Sequence, residues 1–221
     1  MSAGPKIPVE RAISAIHLLA EAIGARVDPD RQDDPMTLAV VGSIRRGLTS
    51  VSDIDLIAPW AHDEDPLHAA LVAKFGDPAK DKANPLFAAA VAPEGRMGIW
   101  LQGLNRNFRR CAVLLKLVKE PKVEIKVEIH RYTPGPEGNR GWIEMIRTGP
   151  AEWGRMCCIR WNHRVPNGTS DHGFLVDGDG ERHPTPDEAS VFRLLGLQYI
   201  PPAARTDILA KQLMPSRRRW A

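Results

Sequence analysis

Two carboxylates that follow a glycine-serine turn are the residues of this sequence best suited to chemistry. Gly42 and Ser43 end an apolar run, and Asp53 and Asp55 follow further along the chain, two positions apart. Side chains two apart on a strand project to the same face, and carboxylates held that close repel each other unless a cation lies between them. Mg²⁺ prefers oxygen ligands and is commonly shared with substrate phosphates. Residues 42–55 therefore predict a magnesium site beside a phosphate site.

The glycine-serine turn supplies the phosphate half of such a site. A turn that leaves a buried strand and enters a helix exposes backbone N–H groups and the partial positive charge of the helix N-terminus. A triphosphate can bind there, with the Ser43 hydroxyl and the Arg46 guanidinium as further donors. An isolated Asp-x-Asp is most often a strand end, and an isolated Gly-Ser is only a turn. Their combination, with Arg-Arg-Gly between them, favours a nucleotide site.

A third carboxylate is expected on a neighbouring strand if the site holds two metal ions. A two-metal site that transfers a nucleotide to a hydroxyl group needs this carboxylate to position the metal that activates the hydroxyl. Glu124 and Glu128 both lie on the charged face of a predicted strand over residues 122–132. They are about 13 Å apart along an extended strand, so only one of them can reach the same metal pair. The residues alone leave this choice open, and a solvated strand carboxylate is the alternative for each.

The elements that must position these side chains alternate between helices and strands. Apolar residues at helical spacing predict helices, and β-branched apolar runs predict strands. The predicted elements are a helix over 9–25, strands over 36–41 and 54–57 with one short helix between them, a helix over 65–75, a hairpin over 109–119 and 122–132, a strand or helix start at 142–146, short helical segments after 150, and a helix over 189–197. Residues 77–95 resist assignment.

Length and composition fit a globular protein and exclude several classes. The chain has 221 residues, 43% apolar and 26% charged, so it is neither disordered nor collagen-like. No apolar run approaches the roughly 20 residues of a membrane helix, so we expect a soluble, intracellular protein with no membrane partner. The net charge of +3 says little about partners, but residues 96–131 carry nine basic and three acidic side chains. That stretch is either a polyanion-binding face or a solvated hairpin.

The motif at residues 42–55 resembles that of the nucleotidyltransferase superfamily and, with its paired arginines, that of the family X DNA polymerases (the DNA polymerase beta family). Ile7-Pro8 is similar to the start of that family's palm, residues 146–150 to its junction of palm and thumb, and residues 191–205 to its thumb. The resemblance implies an α+β fold. A nucleotidyltransferase palm of mixed β-sheet with flanking helices would occupy residues 1–147, and a small α/β thumb would occupy residues 148–221. No stretch resembles the family's lyase or helix-hairpin-helix regions, so a minimal palm and thumb form is expected.

The resemblance also implies roles for individual residues. Asp53, Asp55 and Glu128 would be the catalytic carboxylates and would bind two Mg²⁺ ions, with Mn²⁺ as a substitute; Glu128 fits the family's spacing better than Glu124, although the family usually has an aspartate there. His130 would stand where the family often has an arginine that pairs with the metal carboxylates. The nucleotide-binding residues would be Gly42, Ser43, Arg46, Ser52, Thr148 and Gly149, and the DNA contacts Arg109, Arg110, Lys126 and His172.

The implied activity is metal-dependent transfer of a dNMP from a dNTP to the 3'-hydroxyl of a DNA primer-template or gapped DNA, as in short-gap filling or repair, by a monomer of the cytoplasm or of a virus. Two alternatives stay open. One is a template-independent nucleotidyltransferase acting on RNA, a protein or a small molecule, against which the thumb-like sequence argues. The other is a DNA-binding module with a relic site, which is disfavoured because Ser43, Arg46, Asp53 and Asp55 are all present.

Overall fold

The computed structural model describes residues 6–31, 33–60, 65–75, 97–102, 110–117 and 123–215, and divides the chain into two compact units. Unit 1 comprises Met1–Ile44 and Leu48–Tyr132, and unit 2 comprises Arg45–Gly47 and Thr133–Ala221. The assignment of residues 1–147 to a palm and 148–221 to a thumb stays a prediction. The unassigned residues 77–95 lie outside the described part of the chain.

Unit 1 is built on a mixed β-sheet with helices. Its elements are β1 (Ile7–Pro8), α1 (Val9–Ile23), β2 (Arg26–Val27), β3 (Thr37–Val40), α2 (Gly42–Arg45), whose last residue belongs to unit 2, β4 (Ser50–Val51), β5 (Asp53–Pro59), α3 (Pro66–Phe75), β6 (Met97–Gln102), β7 (Arg110–Leu117) and β8 (Val123–Tyr132). Six strands form one sheet in the order β2-β3-β5-β8-β7-β6, and β1 pairs with β4. The central strands β5 and β8 are parallel, whereas β8 and β7 form the predicted antiparallel hairpin.

The core of unit 1 fixes which side chains the central strands present on their other face. On β5, Ile54 and Leu56 are buried, and on β8, Val127 and Ile129 are buried in the same core cluster. Helix α1 packs its apolar stripe into that cluster and ends at Gly24. Because side chains alternate along a strand, the residues between these apolar positions all lie on the opposite face of the sheet. The polar side chains of β5 and β8 are therefore neighbours.

Unit 2 is mainly helical, with one small sheet. Its elements are α4 (Arg140–Thr148), α5 (Ala151–Arg164), β9 (Thr169–Asp171), β10 (Phe174–Val176), β11 (Arg182–His183), α6 (Glu188–Leu195), a 3₁₀ turn (Pro202–Ala204) and α7 (Asp207–Leu213). The three strands are antiparallel, with β10 in the middle. Three tryptophans and Phe192 are among the largest fully buried side chains of its core: Trp142, Trp153 and Trp161. Asp187 caps α6 by accepting from the Ser190 N–H at 2.7 Å.

The fold is a mixed α and β architecture of several sheets and helices, in agreement with the predicted palm and small thumb layout. Two local predictions are corrected or decided by the structure. Residues 142–146 lie in helix α4. Short helical segments are expected after residue 150, but the first helix there, α5, has 14 residues, and the short helices α6 and α7 follow it. In the described residues, no helix combines the length and apolarity that crossing a membrane requires.

Candidate active site

The register between β5 and β8 places one carboxylate of β8 directly beside Asp55. In this parallel pair Asp55 lies opposite Glu128, and Asp53 lies opposite Lys126. Neighbouring strands are about 4.8 Å apart, so residues in register on one face are within contact distance. Glu124 precedes this position along β8 and lies opposite Lys116 of β7. Of the two glutamates, Glu128 is therefore the one that the sheet brings to Asp55.

Asp55, Glu128 and His130 form a compact polar cluster on this face. One ligand atom from each lies within 4.8 Å of those of the other two. The His130 Nε2 atom is 3.4 Å from Glu128 Oε2 and 3.7 Å from Asp55 Oδ1. The His130 side chain is only 4% exposed, and its Nε2 atom has no hydrogen-bond partner. Two carboxylate oxygens and an imidazole nitrogen thus converge with the composition of a divalent cation site.

The second oxygen of Glu128 has a different neighbour. Its Oε1 atom forms an ion pair with the Lys126 ammonium group, and the Lys126 side chain is 43% exposed. An ion pair open to water at one end stabilises the fold little and exchanges readily. The sequence predicts that Lys126 contacts DNA, and this role stays a prediction. In the structure the Lys126 ammonium group pairs with Glu128, a candidate metal ligand.

Gly42 is tied to Asp55 by close approach. The glycine has φ 68°, and a Cβ atom at this position would lie 2.5 Å from Asp55 Oδ2. The backbone reinforces the contact, because the Val41 N–H donates to the Asp55 carbonyl at 3.0 Å. Only glycine accepts both the left-handed conformation and this proximity without strain. The backbone of the Gly-Ser turn therefore packs directly against the Asp55 carboxylate.

The remaining predicted residues of unit 1 lie around this cluster. Asp53 is exposed and begins β5, with the half-buried Ser52 just before it, and Ser43 is half-buried in α2. The Ser43 carbonyl accepts from the Leu48 N–H at 3.2 Å, which closes the segment between them. Among the described side chains, the group close enough to share one ion comprises Asp55, Glu128 and His130 and does not include Asp53. The metal role of Asp53 stays a prediction.

Unit 2 holds a second charged cluster, centred on Glu188, which sequence reasoning missed. Arg205 donates to both Glu188 carboxylate oxygens, at 2.6 and 2.9 Å, and Arg45 donates to the same two oxygens at 3.0 Å each. Arg45 also pairs with Glu144 at 2.8 Å. Arg205 is fully buried and lies over the rings of Trp153 and Phe192. This is a closed network of bidentate ion pairs.

The two glutamates of this network differ in pKa because their neighbours differ. Burial alone would raise the pKa of Glu188, but the hydrogen bonds from Arg205 and Arg45 outweigh it and hold the pKa below its ordinary value. For Glu144, burial is the largest effect and raises the pKa, although Arg45 acts in the opposite direction. The pKa of Arg45 itself is raised: burial acts to lower it, but this effect is outweighed by the hydrogen bond that Arg45 donates to Glu188 and by the charge of Glu144.

The predicted nucleotide residues of unit 2 are occupied by contacts inside that unit. Arg46 donates to the Thr148 carbonyl, and the Thr148 hydroxyl accepts from Arg45 at 3.0 Å. Gly149 follows α4, and a Cβ atom there would lie 2.5 Å from the Trp153 ring. These contacts give the Thr-Gly turn a fixed shape. The predicted nucleotide roles of Arg46, Thr148 and Gly149 stay predictions.

The predicted DNA contacts are only partly described. His172 is exposed in the turn between β9 and β10, and its Nδ1 atom lies 2.8 Å from Asp171 Oδ2. Arg110 begins β7, but its side chain lies outside the described part of the structure, as does the whole of Arg109. No DNA role is tested for any of them.

Comparison with known families now bears on unit 2. Residues 169–206 match the family model of the DNA polymerase beta thumb. The matched region contains the stretch 191–205 that the sequence predicted as thumb, together with Glu188 and Arg205 of the buried network. It is one small region, and it supports a relationship to the family X polymerases. No curated protein matches the chain.

Proposed function

We propose that the protein is a metal-dependent nucleotidyltransferase of the DNA polymerase beta type, which adds a dNMP from a dNTP to a DNA 3'-hydroxyl. The observation that carries this proposal is the register of the parallel strands β5 and β8, which puts Glu128 beside Asp55 while Gly42 closes against the same carboxylate. The polymerase beta thumb match over residues 169–206 of the same chain supports the choice of DNA as acceptor.

The residues of the site divide the work between charge and position. Two Mg²⁺ ions, when bound, would lower the pKa of the attacking hydroxyl and neutralise the triphosphate. Asp55 and Glu128 would hold these ions, and Asp53 would join them from the same face of β5. Ser43 and Arg46, in the segment that follows Gly42, would donate hydrogen bonds to the phosphates. No side chain acts as a nucleophile, so orientation and charge stabilisation carry the rate enhancement.

The DNA would be bound chiefly through its phosphates. The basic side chains of residues 96–131 and the thumb region provide the candidate contacts, which carry no base-specific information. Affinity should therefore fall steeply with salt and depend little on sequence. Filling of short gaps, as in repair, is the use that we propose for such an enzyme.

The test is extension of a labelled primer on recessed, gapped and single-stranded DNA, with each dNTP and each rNTP. We expect template-directed addition of dNMP with Mg²⁺ or Mn²⁺. Asp55→Asn should lower this rate on the order of 1000-fold or more, because metal charge stabilisation is worth several kcal/mol. Asp30→Asn, the same change at an exposed loop residue, should leave the rate unchanged. Full activity of Asp55→Asn would refute the site, and addition without a template would favour a template-independent nucleotidyltransferase.

A further inference from the structure

The imidazole of His130 lies beside two carboxylates, yet its Nε2 atom has no hydrogen-bond partner among the described residues. This Nε2 atom is buried and lies 3.4 Å from Glu128 Oε2 and 3.7 Å from Asp55 Oδ1. A buried polar atom without a partner costs free energy, so such an atom calls for an explanation in a ligand or an ion. The Nε2 atom of His130 lies close to both carboxylates.

The separations suit a shared ion. With metal-to-ligand bonds of about 2.1 Å, two ligand atoms of one ion are at most about 4.2 Å apart. Both distances from His130 Nε2 fall below that limit, and all three ligand atoms lie within 4.8 Å of one another. The 4.8 Å bound exceeds this limit by about 0.6 Å, so a shared ion would draw the Asp55 and Glu128 carboxylates slightly closer together.

The chemistry of the donors then selects the kind of cation. Carboxylate oxygens serve Mg²⁺ and Mn²⁺ alike, but imidazole nitrogen is a ligand of first-row transition metals and is seldom a ligand of Mg²⁺. Lys126 already neutralises Oε1 of Glu128, which leaves Oε2 on the side of His130. The donor set that points inward is thus two oxygens and one nitrogen.

We propose that His130 is a direct ligand, with Asp55 and Glu128, of a divalent first-row transition-metal ion, and that the site binds Mn²⁺ more tightly than Mg²⁺ because of this nitrogen. The proposal deepens the proposed function, on which its catalytic meaning rests, by naming the cation that the site prefers. It assigns to His130 a bond to the metal in place of a charge contact with the carboxylates alone.

The test measures the metal without nucleotide or DNA. Binding of Mn²⁺ and Mg²⁺ to the full chain is measured by calorimetry, and the bound Mn²⁺ is examined by electron spin-echo spectroscopy for coupling to an imidazole ¹⁴N nucleus. We expect that coupling in the wild type and at least tenfold tighter binding of Mn²⁺ than of Mg²⁺. His130→Gln should abolish the coupling and reduce the preference about tenfold or more, since loss of even an outer-shell partner of a metal ligand costs roughly 10- to 100-fold in affinity. His17→Gln, the same change at an exposed histidine of α1, should alter neither.

The outcomes separate this inference from the proposed function. Absence of ¹⁴N coupling on bound Mn²⁺ in the wild type, or an unchanged Mn²⁺ preference in folded His130→Gln, would overturn the ligand role and leave His130 as a neighbour of the carboxylates that does not touch the metal. Imidazole coupling that is lost in His130→Gln would support it, even if primer extension failed. The wild-type spectrum decides the matter should His130→Gln not fold.

Discussion

Each unit gathers two acidic side chains, and their surroundings differ: in unit 2 arginine side chains pair with both, whereas in unit 1 Asp55 and Glu128 lie beside a buried imidazole. In unit 2, Glu188 receives four hydrogen bonds from two guanidinium groups. In unit 1, the Nε2 atom of the imidazole beside Asp55 and Glu128 has no hydrogen-bond partner, and the Lys126 side chain that pairs with Glu128 is 43% exposed. A buried charge is retained when it is paired or when it binds something. The first cluster is therefore structural, and the second is the candidate for chemistry.

The arginines of the Gly-Ser motif illustrate the same division. The sequence predicts a phosphate site in which Arg46 is a donor, and it assigns no separate role to the neighbouring arginine, Arg45. In the structure Arg45 is the side chain that joins Glu188 and Glu144. A conspicuous motif thus contains a residue whose observed contacts serve the packing of unit 2. Charged residues of one motif need not share one role.

The largest effect should come from the carboxylate that the register selects. Glu128→Gln should lower nucleotidyl transfer on the order of 1000-fold, because it removes a metal-binding charge. Glu124→Gln, the same change four positions earlier on β8, should stay within about fivefold of the wild type, because the register places Glu128 and not Glu124 opposite Asp55. Single-turnover primer extension measures both. Equal losses in the two variants would mean that the register does not decide the third carboxylate.

A smaller effect, on stability, is expected in the neutralised cluster. Glu188→Gln leaves the buried Arg205 guanidinium without its countercharge, which should lower the free energy of unfolding by about 3 kcal/mol. Glu152→Gln, which removes the partner of the exposed Arg155, should cost less than about 0.5 kcal/mol. Urea unfolding followed by tryptophan fluorescence reports largely on unit 2, since three of the six tryptophans, Trp142, Trp153 and Trp161, lie in its core. Matching losses in both variants would remove the distinction between a buried network and a surface pair.

Much of the fold follows from local pattern. Residues 9–25 show a helical apolar stripe ended by glycine, and the structure has α1 there. The hairpin of β7 and β8 follows from two β-rich runs around a proline turn. Helix α5 could also have been recognised, because Trp153, Cys157 and Trp161 recur at helical spacing and are all buried. The apolar face of α5 is narrow, because charged and polar residues lie between these positions in the sequence, and this makes the helical pattern weak.

The site was less predictable, for a physical reason. Alternation along β8 puts Glu124 and Glu128 on one face, and nothing local separates them. The two glutamates differ because of the register of β8 against β5. This register is a pairing between distant parts of the chain, and it is set only when the apolar face of the sheet packs into the core. Glu188 was hidden in another way. In the sequence it is an acidic residue in the first turn of a helix, a favourable position by itself, and its burial depends on Arg205 and Arg45.

The smallest effect expected is a pH dependence that distinguishes the two glutamates of the neutralised cluster. The pKa of Glu188 is held below its ordinary value of 4.5, so its contribution to stability is complete above that pH and is lost as the pH falls through the folded-state value. The pKa of Glu144 is raised above 4.5, so its contribution is complete below that pH and is lost as the pH rises through the folded-state value. The difference in unfolding free energy between wild type and Glu188→Gln should therefore shrink towards acid from pH 4.5. For Glu144→Gln the same difference should shrink towards neutral pH. Urea unfolding curves between pH 3 and 7 measure both differences. If both changed in the same direction with pH, the pKa values of Glu188 and Glu144 would be shifted in the same direction, against this prediction.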